Sequence, residues 1–144
     1  MVVPAEFIAD ASFTIPWFFR HERVAVSEEA WERLALRTAI AHVPALWPFE
    51  MANAALRGPR GGVVKPSRQD VAIFFSILTE LPIRVHYQNI ESVFEETVSL
   101  MMKHKLTSYD AAYLNLALKL RLPLATFDTA VSKAATAEGV EVLT

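Results

Sequence analysis

Four acidic side chains occupy one kind of place along this chain. Asp10 ends the apolar run in "EFIAD", and Glu50 follows the β-rich "AHVPA" within "PALWPFE". Asp128 closes "LATFD", and Asp110 sits at the head of the apolar segment "LTSYDAAYLNLALKL". Taken singly, each has an ordinary structural role. Asp110 is the fourth member of a T-x-x-D capping box with Thr107, and Asp128 is an N-cap for the segment that follows it. Glu50 is a first-turn acid favoured by the helix dipole, and Asp10 suits a turn. Taken jointly they are harder to explain. Two carboxylates ~4 Å apart repel by roughly 4 kcal/mol at an effective dielectric near 20. A fold that gathered several without a counter-ion would lose much of a domain's usual margin of about 5–15 kcal/mol. A divalent cation removes that conflict, and an all-oxygen donor set suits magnesium or manganese rather than zinc.

The elements that must position these acids alternate in type. Strands are expected at 6–9, 41–45, 82–86, 124–127 and 140–143, with Pro44 arguing for an edge or terminal place in the second. Between them lie a short helix at 13–19 interrupted near Pro16, and helices at 27–39 (capped by Ser27), 48–57, 67–80, 90–105, from Thr107 onward, and at 129–137. The stretch 67–80 opens on a capping-box-like S-x-x-D, and 90–105 carries acids early and bases late. Three of the four glycines fall in "GPRGGVVKP" (58–66), a loop. Such alternation implies a single α/β domain over 1–144, an open sandwich on a mainly parallel sheet of roughly five strands. In such sheets ligands bind outside the carboxyl ends of the strands, which is where the acids fall.

Composition narrows the classes. The chain is 144 residues, 53% hydrophobic and 21% charged, so it folds around a core of its own. A formal net charge of −2 excludes a basic coat for nucleic acid; a phosphate-bearing substrate needs a local basic patch or a bound cation. With no cysteine there is no disulfide framework, thiolate zinc site or cysteine nucleophile, which fits the cytoplasm. No apolar run nears the roughly 18 residues of a membrane span, and "MVVPAEFIAD" lacks the basic start of a signal peptide. The four histidines, His21, His42, His86 and His104, have no metal-site spacing. The aromatic "PWFF" (16–19) and the wide apolar face of 71–78 read as core, with a homodimer seam or partner-helix groove as the minor alternative.

Several blocks together resemble the PIN-domain ribonucleases, and within them the VapC-type toxins of bacterial toxin–antitoxin pairs. These are "DAS" (Asp10–Ser12) after a hydrophobic strand, "PALWPFEMANAAL" around Glu50, "LTSYDAAYLNLA" around Asp110, and "PLATFD" ending at Asp128. They run in family order from about residue 6 to the C-terminus, and the Asp110 block is the most specific. The chain departs from many relatives in "RGPRGGVVKPSR", where they carry a more basic helical stretch.

The resemblance implies a three-layer α/β/α PIN-like sandwich and a Mg²⁺- or Mn²⁺-dependent endoribonuclease that hydrolyses phosphodiester bonds. It implies Asp10, Asp110 and Asp128 as metal ligands, the last directly or through water, and Glu50 as a ligand or as the group orienting the attacking water. Ser12, Thr107 and Thr126 would hold carboxylates or waters in place. Arg57, Arg60, Lys65 and Arg68 are the candidates for RNA phosphate contacts, although surface Arg and Lys more often only keep a loop solvated. A cognate antitoxin and toxin dimers are the partners implied. The competing expectation is a PIN-like binding or scaffold subunit without catalysis.

Overall fold

Strand β1 (Glu6–Ala9) buries Phe7, Ile8 and Ala9 completely, and β2 (Ile40–Pro44) buries Ala41, His42 and Val43. Consecutive buried residues point to opposite faces, so helices cover the sheet on both sides. In this computed structural model, which describes residues 2–19, 22, 24–58 and 65–144, the five strands stand in the order β3-β2-β1-β4-β5, all parallel. Here β3 is Ile83–His86, β4 Leu124–Ala125 and β5 Val142–Leu143. Pro44 closes β2 opposite His86, the terminal place its missing N–H requires, although β2 is an inner strand. From β1 the chain goes to β2 on one side and later to β4 on the other. The carboxyl ends of β1 and β4 therefore flank the point where the winding reverses, the place where ligands bind in such sheets.

The helices are α1 (Ala11–Thr14, continued by a 3₁₀ turn Ile15–Trp17), α2 (Ala25–Ala35), α3 (Trp47–Arg57) and α4 (Arg68–Glu80). After β3 come α5 (Ile90–Ser92), a π turn Val93–Thr97, α6 (Val98–His104), α7 (Ser108–Leu120) and α8 (Thr129–Ala137). Two details depart from the expectations above. Ser27 does not cap α2, which starts at Ala25 with Val24 in the cap position. Ser27 is fully buried instead, its hydroxyl donating to the Phe13 carbonyl at 2.8 Å while its own carbonyl accepts from Trp17 Nε1 at 2.9 Å. The 90–105 helix is broken by the π turn, beside which Lys119 of α7 donates to Ser92 (2.7 Å) and pairs with Glu96 (3.2 Å). Aromatic "PWFF" is core: Trp17 packs on Trp31, and Phe18 stacks on Phe74 of α4 at 4.6 Å between ring centroids.

Three strands are also tied by a polar chain. Glu6 of β1 contacts His42 Nε2 at 3.1 Å, and His42 Nδ1 meets His86 Nε2 of β3 at 2.8 Å. An ionised Glu6 only accepts, so His42 donates from Nε2 and must accept from His86 at Nδ1. A second added proton would set N–H against N–H. Burial, His42 and Arg84 all lower the His86 pKa. A histidine with a depressed folded pKa favours the fold when neutral, so this contribution is lost as pH falls through the ordinary histidine range. Between pH 7 and 5 the urea midpoint should therefore fall less in His86→Gln than in the unsubstituted protein.

Candidate active site

The chain brings four helix starts to one edge of the sheet. Helices α1, α3 and α8 follow β1, β2 and β4, so they begin at the carboxyl ends of those strands. Helix α7 leads into β4 and must run antiparallel to that strand, so its first turn lies at the same edge. Asp10, Glu50, Asp110 and Asp128 each belong to one of these starts. The positive ends of the dipoles lower the cost of carboxylates there.

Asp10 stands in the cap position of α1 yet makes no side-chain capping bond. It is buried, and its Oδ2 accepts from the Ser12 hydroxyl at 2.8 Å and the Thr126 hydroxyl at 2.7 Å. Each hydroxyl in turn accepts a backbone N–H, Ser12 from Phe127 (3.0 Å) and Thr126 from Asp128 (3.1 Å). Both relays thus aim their protons at one carboxylate oxygen, and each link polarises the next. β4 ends at Ala125 rather than at 127: Thr126 N still donates to the Leu143 carbonyl at 3.1 Å, but its hydroxyl turns to Asp10 and the next N–H, that of Phe127, goes to Ser12. Burial raises the Asp10 pKa, the two hydroxyls pull it down, and the charge of Asp128 raises it again.

Asp128 does cap α8, its Oδ1 accepting from Val131 N at 2.9 Å. Asp110 behaves unlike the acid of the matching motif at α4. There the box closes: Asp70 N donates to Ser67 Oγ at 3.1 Å and Ser67 N donates to Asp70 Oδ2 at 3.2 Å. At α7 Thr107 Oγ1 accepts from Asp110 N at 3.2 Å, but no return bond to the Thr107 amide is made. The Asp110 carboxylate instead feels the charge of the other acids. Its pKa is raised by desolvation, then by Asp128 and Asp10, while the Thr107 hydroxyl lowers it. Glu50, half-buried, is likewise raised by desolvation and by the charges of Asp10 and Asp110.

Tyr113, which the sequence presents only as part of an apolar stripe, completes the site. Its hydroxyl donates to Glu50 Oε1 at 2.6 Å from a fully buried ring on α7. Burial and the neighbouring Glu50 charge push this phenol well above its ordinary range, so it stays a donor. The signal in the sequence was its i+3 spacing from Asp110, which puts both on one face. In Tyr113→Phe, Glu50 loses the donor that favours its charge. The titration of Glu50 should move to higher pH, as NMR of its side-chain carboxyl would record.

Among the described residues no three acidic or histidine side chains stand close enough to hold a metal ion directly. The donor chemistry nevertheless fits a hard cation. All four groups are carboxylates at strand ends or helix starts, and three of them have pKa values raised by burial and then by their acidic neighbours, with no basic side chain among the described residues opposing the shift. Their looser spacing suits an ion that keeps several waters, as Mg²⁺ does. Of the basic candidates, Arg57 lies seven residues from Glu50 on α3, hence on the same face about 10 Å along. Lys65 and Arg68 are exposed around the start of α4, while Arg60 lies outside the described residues, as does His21.

The fold has relatives of known structure. PAE2754 from Pyrobaculum aerophilum superposes with a TM-score of 0.65 at 19% identity, covering 99% of this chain and 92% of that one. FitAcB from Neisseria gonorrhoeae gives 0.62 at 16% identity, covering 96% of each. No functionally curated protein matches the sequence. The PIN domain model matches residues 7–137, a span that contains all four acids, Ser12, Thr126 and Tyr113; the chain belongs to the PIN-domain family.

Proposed function

We propose that this protein is a metal-dependent endoribonuclease, the toxin of a toxin–antitoxin pair, that cuts RNA phosphodiester bonds. The observation that carries the reading is the Asp10 carboxylate. It is buried at the carboxyl ends of β1 and β4, held by two hydroxyl relays, and coupled by charge to Glu50, Asp110 and Asp128 with no basic partner among the described residues. Asp10 and Asp110 would hold a Mg²⁺ or Mn²⁺ ion, with Asp128 reaching it through water from the oxygen that does not cap α8. When bound, the ion supplies charge to offset the scissile phosphate and to acidify water. Ser12 and Thr126 keep the Asp10 oxygen in one orientation. Glu50, bonded by Tyr113 and with a raised pKa, would accept a proton from an attacking water. Arg57, with Arg60, Lys65 and Arg68, would meet the RNA backbone beyond the acids.

Partners follow from the same reading: an RNA substrate, a cognate antitoxin that covers the acidic edge, and a second copy of the chain. Among the described residues no helix is long and apolar enough to cross a membrane, and the place of action proposed is the cytoplasm. Purified protein incubated with total RNA and Mg²⁺ or Mn²⁺ should fragment it, and EDTA should stop the reaction. RNA left intact at millimolar metal overturns the assignment. The open spacing of the acids favours one alternative, an inert PIN-like scaffold. Such a protein would take up no Mn²⁺ in calorimetry.

A further inference from the structure

An acidic edge is a poor surface for a polyanion, so something besides charge must hold a substrate strand against it. Two of the four acids are immediately preceded by a large aromatic ring left in solvent: Phe49 before Glu50, 74% exposed, and Tyr109 before Asp110, 62% exposed. Tyr87 and Phe94 are exposed too, but neither adjoins one of the four acids, and most other rings are packed away. Phe7, Phe13, Trp17, Trp47 and Tyr113 are buried, and Phe127, the residue before Asp128, packs on Phe13 at 5.0 Å. Phe49 and Tyr109 lie in the first turns of α3 and α7, the two helices that carry Glu50 and Asp110 to the carboxyl edge. One residue on a helix turns the side chain by about 100°, so each ring stands beside its acid rather than over it. The two rings therefore sit at the rim of the acid cluster, one on each of two different helices.

We propose that Phe49 and Tyr109 are stacking positions for the bases next to the scissile phosphate. This rests on the nuclease reading and deepens it. A base presents its face to an aromatic ring only when it is free of its pairing partner and can be splayed from its neighbours. Stacking also works without opposite charge, which is what a chain of net charge −2 with a cluster of carboxylates at one sheet edge needs. Arg57, exposed on the Glu50 face of α3, can meet a phosphate farther along the strand without entering the cluster. The rings act on binding and orientation, and the chemistry stays with the acids.

The test measures binding of a short fluorescent single-stranded RNA by anisotropy, in an Asp10→Asn background so that the probe is not cut. Phe49→Ala and Tyr109→Ala should each weaken binding about tenfold. Phe49→Trp and Tyr109→Trp should keep it, and Phe49→Leu should not. The dependence of binding on salt should keep its slope in every case, because no phosphate contact is removed. Leu36→Ala is the control: Leu36 is also 74% exposed but lies before β2, at the opposite edge of the sheet, and should change nothing. In the cutting-competent protein the alanine variants should raise KM and leave kcat nearly unchanged. Unchanged affinity in both alanine variants overturns the proposal. So does full affinity in the leucine variant, which would mark an apolar patch for a protein partner, or equal binding of a duplex of the same sequence. If the rings behave as stated but no RNA is cut at any metal concentration, the nuclease reading falls and the stacking assignment stands. Metal-dependent cutting by a protein whose ring variants bind normally does the opposite: the nuclease reading stands and the stacking assignment falls.

Discussion

Asp10→Asn and Asp110→Asn should each reduce metal-dependent RNA cleavage by at least about a hundredfold while the protein remains folded. Partners one step removed from a metal are commonly worth 10- to 100-fold in activity, and a direct ligand should cost more. The two variants separate the competing roles of these acids. Asparagine caps a helix about as well as aspartate, so a capping role alone would leave activity where it was. Asp110 is the sharper case, because its capping box is already half open. Its charge is opposed by Asp128 and Asp10, so without metal the Asn variant should be slightly more stable than the parent. Removing a repulsion worth up to about 1 kcal/mol would raise the melting temperature by roughly 2–4 °C. Loss of activity together with gain of stability is the signature of a site that gathers charge for a cation. Full activity in either variant, read in a cleavage assay with circular dichroism to confirm folding, would remove the acids from the reaction.

Magnesium or manganese should raise the melting temperature at pH 7.5 by several degrees, and the shift should vanish in Asp10→Asn. A ligand present at a hundredfold excess over its dissociation constant stabilises the folded state by about 2.7 kcal/mol. At roughly 2–4 °C per kcal/mol for a chain of this size, that is about 5–10 °C. The pH dependence has a definite sign. Burial and mutual repulsion raise the pKa values of Asp10, Glu50 and Asp110 above those of the unfolded chain. The folded state therefore holds these protons more tightly, and the site's contribution to metal-free stability is lost as pH rises through the raised values. Protons and metal compete for the same oxygens, so the metal-induced shift should shrink steadily between pH 7.5 and 5. A shift equal at both pH values would show that the cation binds elsewhere.

The sequence by itself determined the order of elements and the strand ends and helix starts at which the candidate acids fall. Apolar runs bounded by Pro, Gly and capping residues mark the strands and helix starts. The S-x-x-D box at Ser67 closes as its spacing demands, because a cap is satisfied within four residues. The four acids were legible because each lies where a strand ends or a helix begins, and the "LTSYDAAYLNLA" block is specific enough to give the family. Ser27 was misplaced because a hydroxyl near a helix start looks like a cap unless one knows it is buried against the Phe13 carbonyl. Only the tertiary structure decided which acids do more than cap. Thr107 and Ser67 open similar motifs, yet the Asp70 carboxylate turns back to its own helix start while that of Asp110 makes no such bond and carries the repulsion of Asp128 and Asp10. The convergence of Ser12 and Thr126, 114 residues apart, on one oxygen of Asp10 belongs to that same level. So does the hold of Tyr113 on Glu50, 63 residues distant. Local spacing can write a cap. A shared charge among strand ends depends on the sheet order β3-β2-β1-β4-β5, which sets β1 beside β4 only once the chain has folded.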